Sequence, residues 1–174
     1  MAEVHSVWFS ELKGLSYAAR RAVKERPLSP EKLFKSTAEE LISLRAFSEK
    51  DIKILCNKDL SGADLILGNC ARQGIRMLSL CGDDYPRVLS ETADPPLALY
   101  VKGKLPDTDE TPAIAVIGTR KPSDYGLKMA DKIGSGLAEG GAVTVSGLTA
   151  GIETAGANAA LSAGGSVIAV LGTE

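Results

Sequence analysis

The stretch AIAVIGTRKPSDYG, residues 113–126, decides the fold, because an apolar run ends at Gly118 and leads into a predicted helix over 124–139. The runs AVTVSG (142–147) and SVIAVLG (166–172) follow the same plan, with a second predicted helix over 152–163 between them. This alternation predicts a β-α-β-α-β half of a doubly wound α/β fold with a parallel sheet. In such folds, ligands bind in the crevice at the carboxyl ends of the strands.

The sequence also predicts how the two helices pack on the three strands. The strands are near-continuous apolar runs, which is typical of a sheet that is covered on both faces. In the first helix, apolar side chains recur at helical spacing and predict a stripe that packs on the sheet. The members of this stripe are Leu127, Ala130, Ile133 and Leu137.

The first 74 residues predict a separate domain of about five short helices. Thr37 with Glu40, and Ser48 with Asp51, fit the capping-box pattern at a helix start. Gly74 follows the last predicted helix, where a left-handed terminator is expected. Residues 75–174 are predicted to form the α/β domain, which begins with two strand candidates, 75–80 and 97–103.

Composition narrows the class of protein. The chain of 174 residues is 44% hydrophobic and 24% charged, which is typical of a globular protein. No apolar run reaches the roughly 18 residues of a membrane span, and the amino terminus is unlike a secretory signal. The three cysteines, Cys56, Cys70 and Cys81, fit neither a disulfide framework nor a metal site. We therefore expect a protein of the reducing cytoplasm.

The charges are divided unevenly along the chain. The net charge is −2, but residues 1–78 hold 13 lysines and arginines against 10 acids, and residues 79–174 hold 7 against 12. A polyanion would therefore have to bind to a local patch or to backbone groups rather than by bulk charge.

The first strand end is a candidate anion site. Gly118 lets the chain turn out of the strand, and Ser123 is placed to cap the following helix, whose N–H groups favour an anion. Thr119, Arg120 and Lys121 lie between them, and the arginine can grip a phosphate through two hydrogen bonds. The alternative is a structural turn that carries two solvated cations.

The second strand end is equally open to two interpretations. Ser146, Gly147 and Gly151 belong to a turn of small residues that could hold a phosphate in a nest of N–H groups. The turn could instead serve only the close packing of the next helix. The dinucleotide fingerprint G-x-G-x-x-G is absent, so no cofactor is predicted. We also predict no catalytic residue, because Glu153 is the only acid near this turn and one carboxylate is not an acid/base pair. The cysteine spacing predicts no metal site.

A basic cluster in the amino-terminal half is a secondary candidate for nucleic-acid binding. A solvated helix face is the alternative interpretation of any such cluster. Its members are Lys13, Arg20, Arg21, Lys24 and Arg26.

Several motifs together resemble the DNA-processing protein A (DprA/Smf) family. AIAVIGTRKPSDYG is similar to its strand–G-[ST]-R–x–x–S–x–Y–G opening, and VTVSGLTAGIETAGANAAL to its S-G-L-A-x-G-I-D-x-x-A-H-x-x-A-L block. DDYPRVLSETADPPLALYVKG (83–103) and GGSVIAVLG (164–172) resemble the flanking segments. The resemblance implies a helical, SAM-like or helix-hairpin-helix-like domain followed by a Rossmann-like domain.

The resemblance also implies a function. Members bind single-stranded DNA, protect it and load the RecA recombinase during natural transformation, without being enzymes, and form homodimers through the Rossmann-like domain. Ala150, Glu153 and Asn158 stand where the family pattern has Arg, Asp and His. The family also continues past the third strand, so we expect an incomplete sheet with an aggregation-prone edge.

Two other functions remain open. Phosphoribohydrolases of the LOG type use a similar fold on nucleoside monophosphates, although only Gly172-Thr173-Glu174 matches their signature. A nucleotide-sensing module of the same fold class is the third possibility.

Overall fold

The computed structural model describes residues 2–26 and 28–172, and its contacts divide the chain into two compact units, Met1–Lys104 and Leu105–Glu174. This division lies later than the domain boundary predicted after residue 74. The difference arises because the segment that follows residue 74 packs with the helices: Met77 and Leu97 both contact the helical core.

The first unit is a helical bundle with a two-stranded antiparallel sheet in which Ile75 lies opposite Lys102. Its core contains fully buried side chains such as Phe9, Leu33 and Leu55. The described elements are, in chain order, α1 (Ala2–Glu11), α2 (Tyr17–Glu25), α3 (Pro30–Lys35), α4 (Ala38–Ser43), α5 (Glu49–Leu55), α6 (Ser61–Gln73), β1 (Ile75–Ser79), α7 (Arg87–Ser90) and β2 (Ala98–Lys102).

The helix starts of this unit follow local sequence signals. Both predicted capping boxes are present, Thr37 with Glu40 and Ser48 with Asp51. Helix α6 ends at Gly74, whose φ of 64° is left-handed, as glycine allows. The predicted caps and terminator are thus confirmed.

One carboxylate joins two of these helices. Asp51 is 2% exposed and accepts hydrogen bonds from the N–H and Oγ of Ser48, at 3.1 and 2.6 Å, and from the N–H and Oγ of Ser16, at 2.8 and 2.9 Å. Burial by itself raises the pKa of this carboxyl, but the hydrogen bonds outweigh burial and hold the pKa below its usual value. Because Ser16 is the N-cap of α2, the side chain of α5 fixes the start of α2.

The second unit is a three-stranded parallel sheet with two crossover helices. Its elements are β3 (Ala113–Ala115), α8 (Asp124–Glu139), β4 (Val143–Ser146), α9 (Ile152–Ser162) and β5 (Val167–Ala169). The strand order is β3-β4-β5, with Ala113 opposite Val143 and Thr144 opposite Val167. The predicted alternation and the α/β fold class are confirmed.

The predicted packing of α8 is wrong in part. Ala130 is buried, but Leu127 and Ile133 are 39% and 48% exposed. Helix α8 instead approaches α9 through glycine: a Cβ placed on Gly134 would lie 2.1 Å from the carbonyl oxygen of Gly156. The apolar pattern predicted the wrong face of α8 because such a pattern does not include glycine, and glycine forms the contact with α9.

The expectation of a sheet covered on both faces is also not met by the described residues. Helices α8 and α9 pack against each other and against β4, so both lie on one face of the sheet. All three residues of β3 are exposed, and Ile114 is 43% exposed.

Candidate functional site

The turn after β3 presents cations at the carboxyl end of the sheet. Thr119, Arg120 and Lys121 are exposed, and the Thr119 Oγ1 accepts a hydrogen bond of 3.2 Å from the Lys121 N–H. Neither Arg120 nor Lys121 forms an ion pair with any of the described residues. Both charges are therefore available to an anion in solvent.

Helix α8 begins directly beyond this turn. Ser123 is extended, with φ −75° and ψ 166°, and its Oγ accepts a hydrogen bond of 3.2 Å from the Gly126 N–H. This cap, which the sequence predicts, aims the positive end of the helix dipole at the edge of the sheet where Arg120 and Lys121 lie. Asp124, in the same first turn, is exposed and offsets part of that field.

The turn after β4 is occupied by its own side chains. Ser146 is 3% exposed, and its Oγ accepts a 3.1 Å hydrogen bond from the Leu148 N–H. The Glu153 Oε2 accepts a 3.2 Å hydrogen bond from the Thr149 N–H and would lie 3.0 Å from a Cβ on Gly147. Because two N–H groups already have acceptors within the turn, the geometry favours the packing interpretation of this turn over a phosphate nest.

Glycines hold the two turns together. The Gly151 φ is +96°, and a Cβ there would lie 2.3 Å from the carbonyl oxygen of Thr119. The same oxygen accepts a 3.2 Å hydrogen bond from the Ile152 N–H. A Cβ on Gly118 would in turn lie 2.6 Å from the Cβ of Ile152. Gly118 and Gly151 are therefore needed for this close approach, which fixes the backbone that carries Arg120.

The basic cluster of the first unit is largely engaged in intramolecular contacts. Of its five members, Lys13 is exposed and has no hydrogen bond or ion pair with the described residues. The other four contacts are Arg20 with the Asp94 carboxylate at 3.0 Å, Arg21 with Glu25 at 2.6 Å, Lys24 with the Thr92 carbonyl at 3.4 Å and Arg26 with the Leu44 carbonyl at 2.9 Å.

Sequence reasoning missed most of these contacts. Arg20 and Asp94 lie 74 residues apart, and Tyr17 donates to the Ala93 carbonyl at 2.7 Å across 76 residues. Only the i,i+4 pair of Arg21 with Glu25 could have been read from spacing.

Comparison with known proteins decides the family. The family model described as DNA recombination-mediator protein A matches residues 76–174, more than half of the chain. The chain belongs to this family.

Two individual proteins are also similar to this chain in sequence. Protein Smf of Synechocystis sp. is 30% identical over 169 residues, which are 95% of this chain and 42% of that protein. DNA processing protein DprA of Streptococcus pneumoniae is 47% identical over 95 residues, which are 55% of this chain and 33% of that protein.

The fold of a DprA protein supports the same assignment. The X-ray structure of DNA processing protein A from Streptococcus pneumoniae superposes with a TM-score of 0.70 at 31% identity, covering 99% of this chain and 57% of that chain. The predicted family and fold class are confirmed. The chain spans less than half the length of the two relatives named above.

Three residues depart from the DprA/Smf pattern at or near the second turn. Ala150 is exposed and supplies no charge where the pattern has arginine. Glu153, in place of aspartate, reaches the Thr149 N–H, so the longer side chain still closes the turn. Asn158, in place of histidine, is exposed on α9.

The described residues hold no group of three histidines, cysteines or acids that could bind a metal ion. At the strand ends, the described acids are Glu153 and Asp124, in the first turns of different helices. Thr173 and Glu174, which complete the match to the phosphoribohydrolase signature, lie outside the described residues. No helix in the described ranges is long and apolar enough to cross a membrane.

Proposed function

We propose that this chain binds single-stranded DNA at the carboxyl ends of β3, β4 and β5, as part of a protein that protects the strand and loads the RecA recombinase on it during natural transformation. The relatives named DNA processing protein DprA support a role in DNA processing. In this proposal the protein is a cytoplasmic homodimer and not an enzyme.

The exposed turn of Arg120 and Lys121 is the observation that carries the proposal. Contacts to phosphates supply affinity without sequence preference, and an arginine can hold one phosphate through two hydrogen bonds. The two turns lock each other through Gly118 and Gly151, so the backbone at the site is already ordered before the ligand binds. Binding of this kind needs no acid/base pair.

The alternative location, the basic cluster of the first unit, is less suited to the same ligand. Arg20 already contacts Asp94, and Arg21 already contacts Glu25. A phosphate would have to compete with these carboxylates, whereas Arg120 and Lys121 have no such competitor among the described residues. We therefore place the main contact at the second unit, although the formal charge favours the first.

Two matched double variants test this placement. Arg120→Ala with Lys121→Ala should weaken binding of a labelled oligo-dT strand more than Arg20→Ala with Arg21→Ala, at physiological salt. Each variant removes two positive charges, so bulk electrostatics changes equally. Arg120→Ala alone should flatten the slope of log affinity against log salt by about 0.7, the share of one phosphate on a single strand. A larger loss for the Arg20 and Arg21 pair, with both variants folded by circular dichroism, would refute the placement.

The enzymatic alternative has its own readout. Incubation of the chain with AMP should release no free adenine, and oligo-dT should be recovered intact after binding. Release of adenine that disappears in Glu153→Gln would instead establish a phosphoribohydrolase.

A further inference from the structure

Tyr125 is the most exposed aromatic side chain in the described part of the protein. It is 72% exposed, whereas Tyr17 and Tyr100 are each 43% exposed and Tyr85 is buried. It is the second residue of α8 and lies two residues after the Ser123 cap. Leaving a large apolar ring in water is unfavourable, so a ring in this position is available to a partner.

The packing of α8 does not require this ring. A Cβ on the next residue, Gly126, would lie 3.3 Å from the Ile152 side chain, and Gly126, Ala130 and Gly134 follow each other at spacings of four along the face that meets α9. Tyr125 is displaced from that face by one residue, which is about 100° around the helix.

Other exposed apolar side chains lie at the same edge of the sheet. They follow the ends of all three parallel strands, and the carboxyl ends of parallel strands share one edge. These residues are Ile117 at 78% exposed, Leu148 at 42%, Val170 at 60% and Leu171 at 64%. Exposed apolar surface of this kind, next to the unpaired Arg120 and Lys121, complements a ligand with flat apolar faces and negative charges.

We propose that Tyr125 is a stacking platform for a nucleobase of the strand whose phosphates contact Arg120 and Lys121. The proposal rests on the function proposed above and assigns a second kind of contact to the same site. Every base has a face that can stack on a tyrosine ring, so this contact adds affinity without sequence preference. Arg120 and Lys121 would hold the backbone, and Tyr125 would hold a base.

An abasic strand separates the two contacts. Tyr125→Ala should weaken binding of oligo-dT about 5- to 150-fold, which is the usual effect of removing one stacking aromatic. It should leave unchanged the affinity for an abasic strand of equal length, as well as the salt slope. Tyr125→Phe should bind oligo-dT nearly as the wild type does. Leu161→Ala, which truncates a side chain 56% exposed near the opposite end of α9, is the matched control and should have no effect.

A spectroscopic arm checks stacking independently of truncation. The fluorescence of Tyr125→Trp should be quenched by oligo-dT and not by the abasic strand. Equal losses of Tyr125→Ala on both strands, no loss on oligo-dT, or a Trp signal that ignores oligo-dT would overturn the stacking contact. If the wild type binds neither strand, the proposed function itself fails, and this outcome differs from all of the former.

Discussion

The glycine contact between α8 and α9 makes a single methyl group decisive. In Gly134→Ala the new Cβ would lie 2.1 Å from the Gly156 carbonyl oxygen, 2.9 Å from its carbonyl carbon and 3.1 Å from the Ala159 Cβ. An ordinary carbon–oxygen contact is about 3.3 Å or longer. Two of these atoms belong to backbone, so no rotation of a side chain relieves the clash, and the helices must separate by about 1 Å.

The expected cost exceeds the gain in helix propensity. Overpacking of a tight interface costs about 1–3 kcal/mol and sometimes more. Alanine returns about 1 kcal/mol because it is a better helix former than glycine. A rigid backbone contact lies at the upper end of the first range, so we expect a net loss of about 2 kcal/mol. For a unit of this size, each kcal/mol shifts the Tm by about 4–8 °C.

Two further glycines supply graded controls. Gly136, on the same helix, has no atom within 4 Å of its virtual Cβ, so Gly136→Ala should raise the Tm through propensity alone. Gly156→Ala would meet the Val116 Cγ1 at 3.1 Å, which a side-chain adjustment can relieve, and should fall between the two.

Thermal unfolding followed by circular dichroism gives the order of stability, and hydrogen exchange of peptides from 124–163 locates the change. Wild-type stability of Gly134→Ala, or an equal loss in Gly136→Ala, would refute the close-packing argument.

Three other substitutions test buried polar groups. Asp51→Asn should lower the free energy of unfolding by about 2 kcal/mol at neutral pH, since hydrogen bonds to a charged group are lost. Because the folded pKa of Asp51 lies below the usual 3.8, this advantage of the wild type should persist above pH 4 and fade as the pH drops further. Acid titration of the unfolding free energy measures this change. The Tyr85 OH donates a 2.8 Å hydrogen bond to the Pro96 carbonyl, and burial raises the pKa of Tyr85 to about 12. The wild type should therefore lose stability between about pH 10 and 12, and Tyr85→Phe should not. Thr144 is fully buried and its Oγ1 has no hydrogen-bond partner among the described residues, so Thr144→Val should raise the Tm, by the equivalent of about 1 kcal/mol, and a lower Tm would contradict this assignment.

Local signals in the sequence predicted the elements well because caps and turns depend on a few neighbouring residues. The bounds of α8, from Asp124 to Glu139, match the prediction, and Ser123 caps it as expected. The sequence could not reveal contacts between distant segments. Arg20 had the pattern of a free cation, and only the fold brings Asp94 to it.

At the candidate site, too, the sequence predicted the local turn and did not predict the contacts of individual side chains. Gly118, Thr119, Arg120 and Lys121 form one exposed turn, as the strand–glycine–helix pattern suggested, and their contact with DNA stays a prediction. The sequence did not predict the position of the Glu153 side chain. Its carboxylate closes the turn by accepting a hydrogen bond from the Thr149 N–H, and residue spacing does not indicate that bond. The sequence places Tyr125 in a family motif at a helix start, but it does not show whether the ring is exposed or packed.

The shared carboxylate of Asp51 also orders the events of folding. Its bonds to Ser48 are local and can form with the first turn of α5, whereas its bonds to Ser16 close a loop of 35 residues. Helices α5 and α2 have only seven and nine residues, too few for stability in isolation, so the order depends on which bonds of Asp51 are local. We therefore expect α5 to acquire its cap first and α2 to form on it afterwards. Helix α2 would then fold after α5, although it precedes α5 in the sequence.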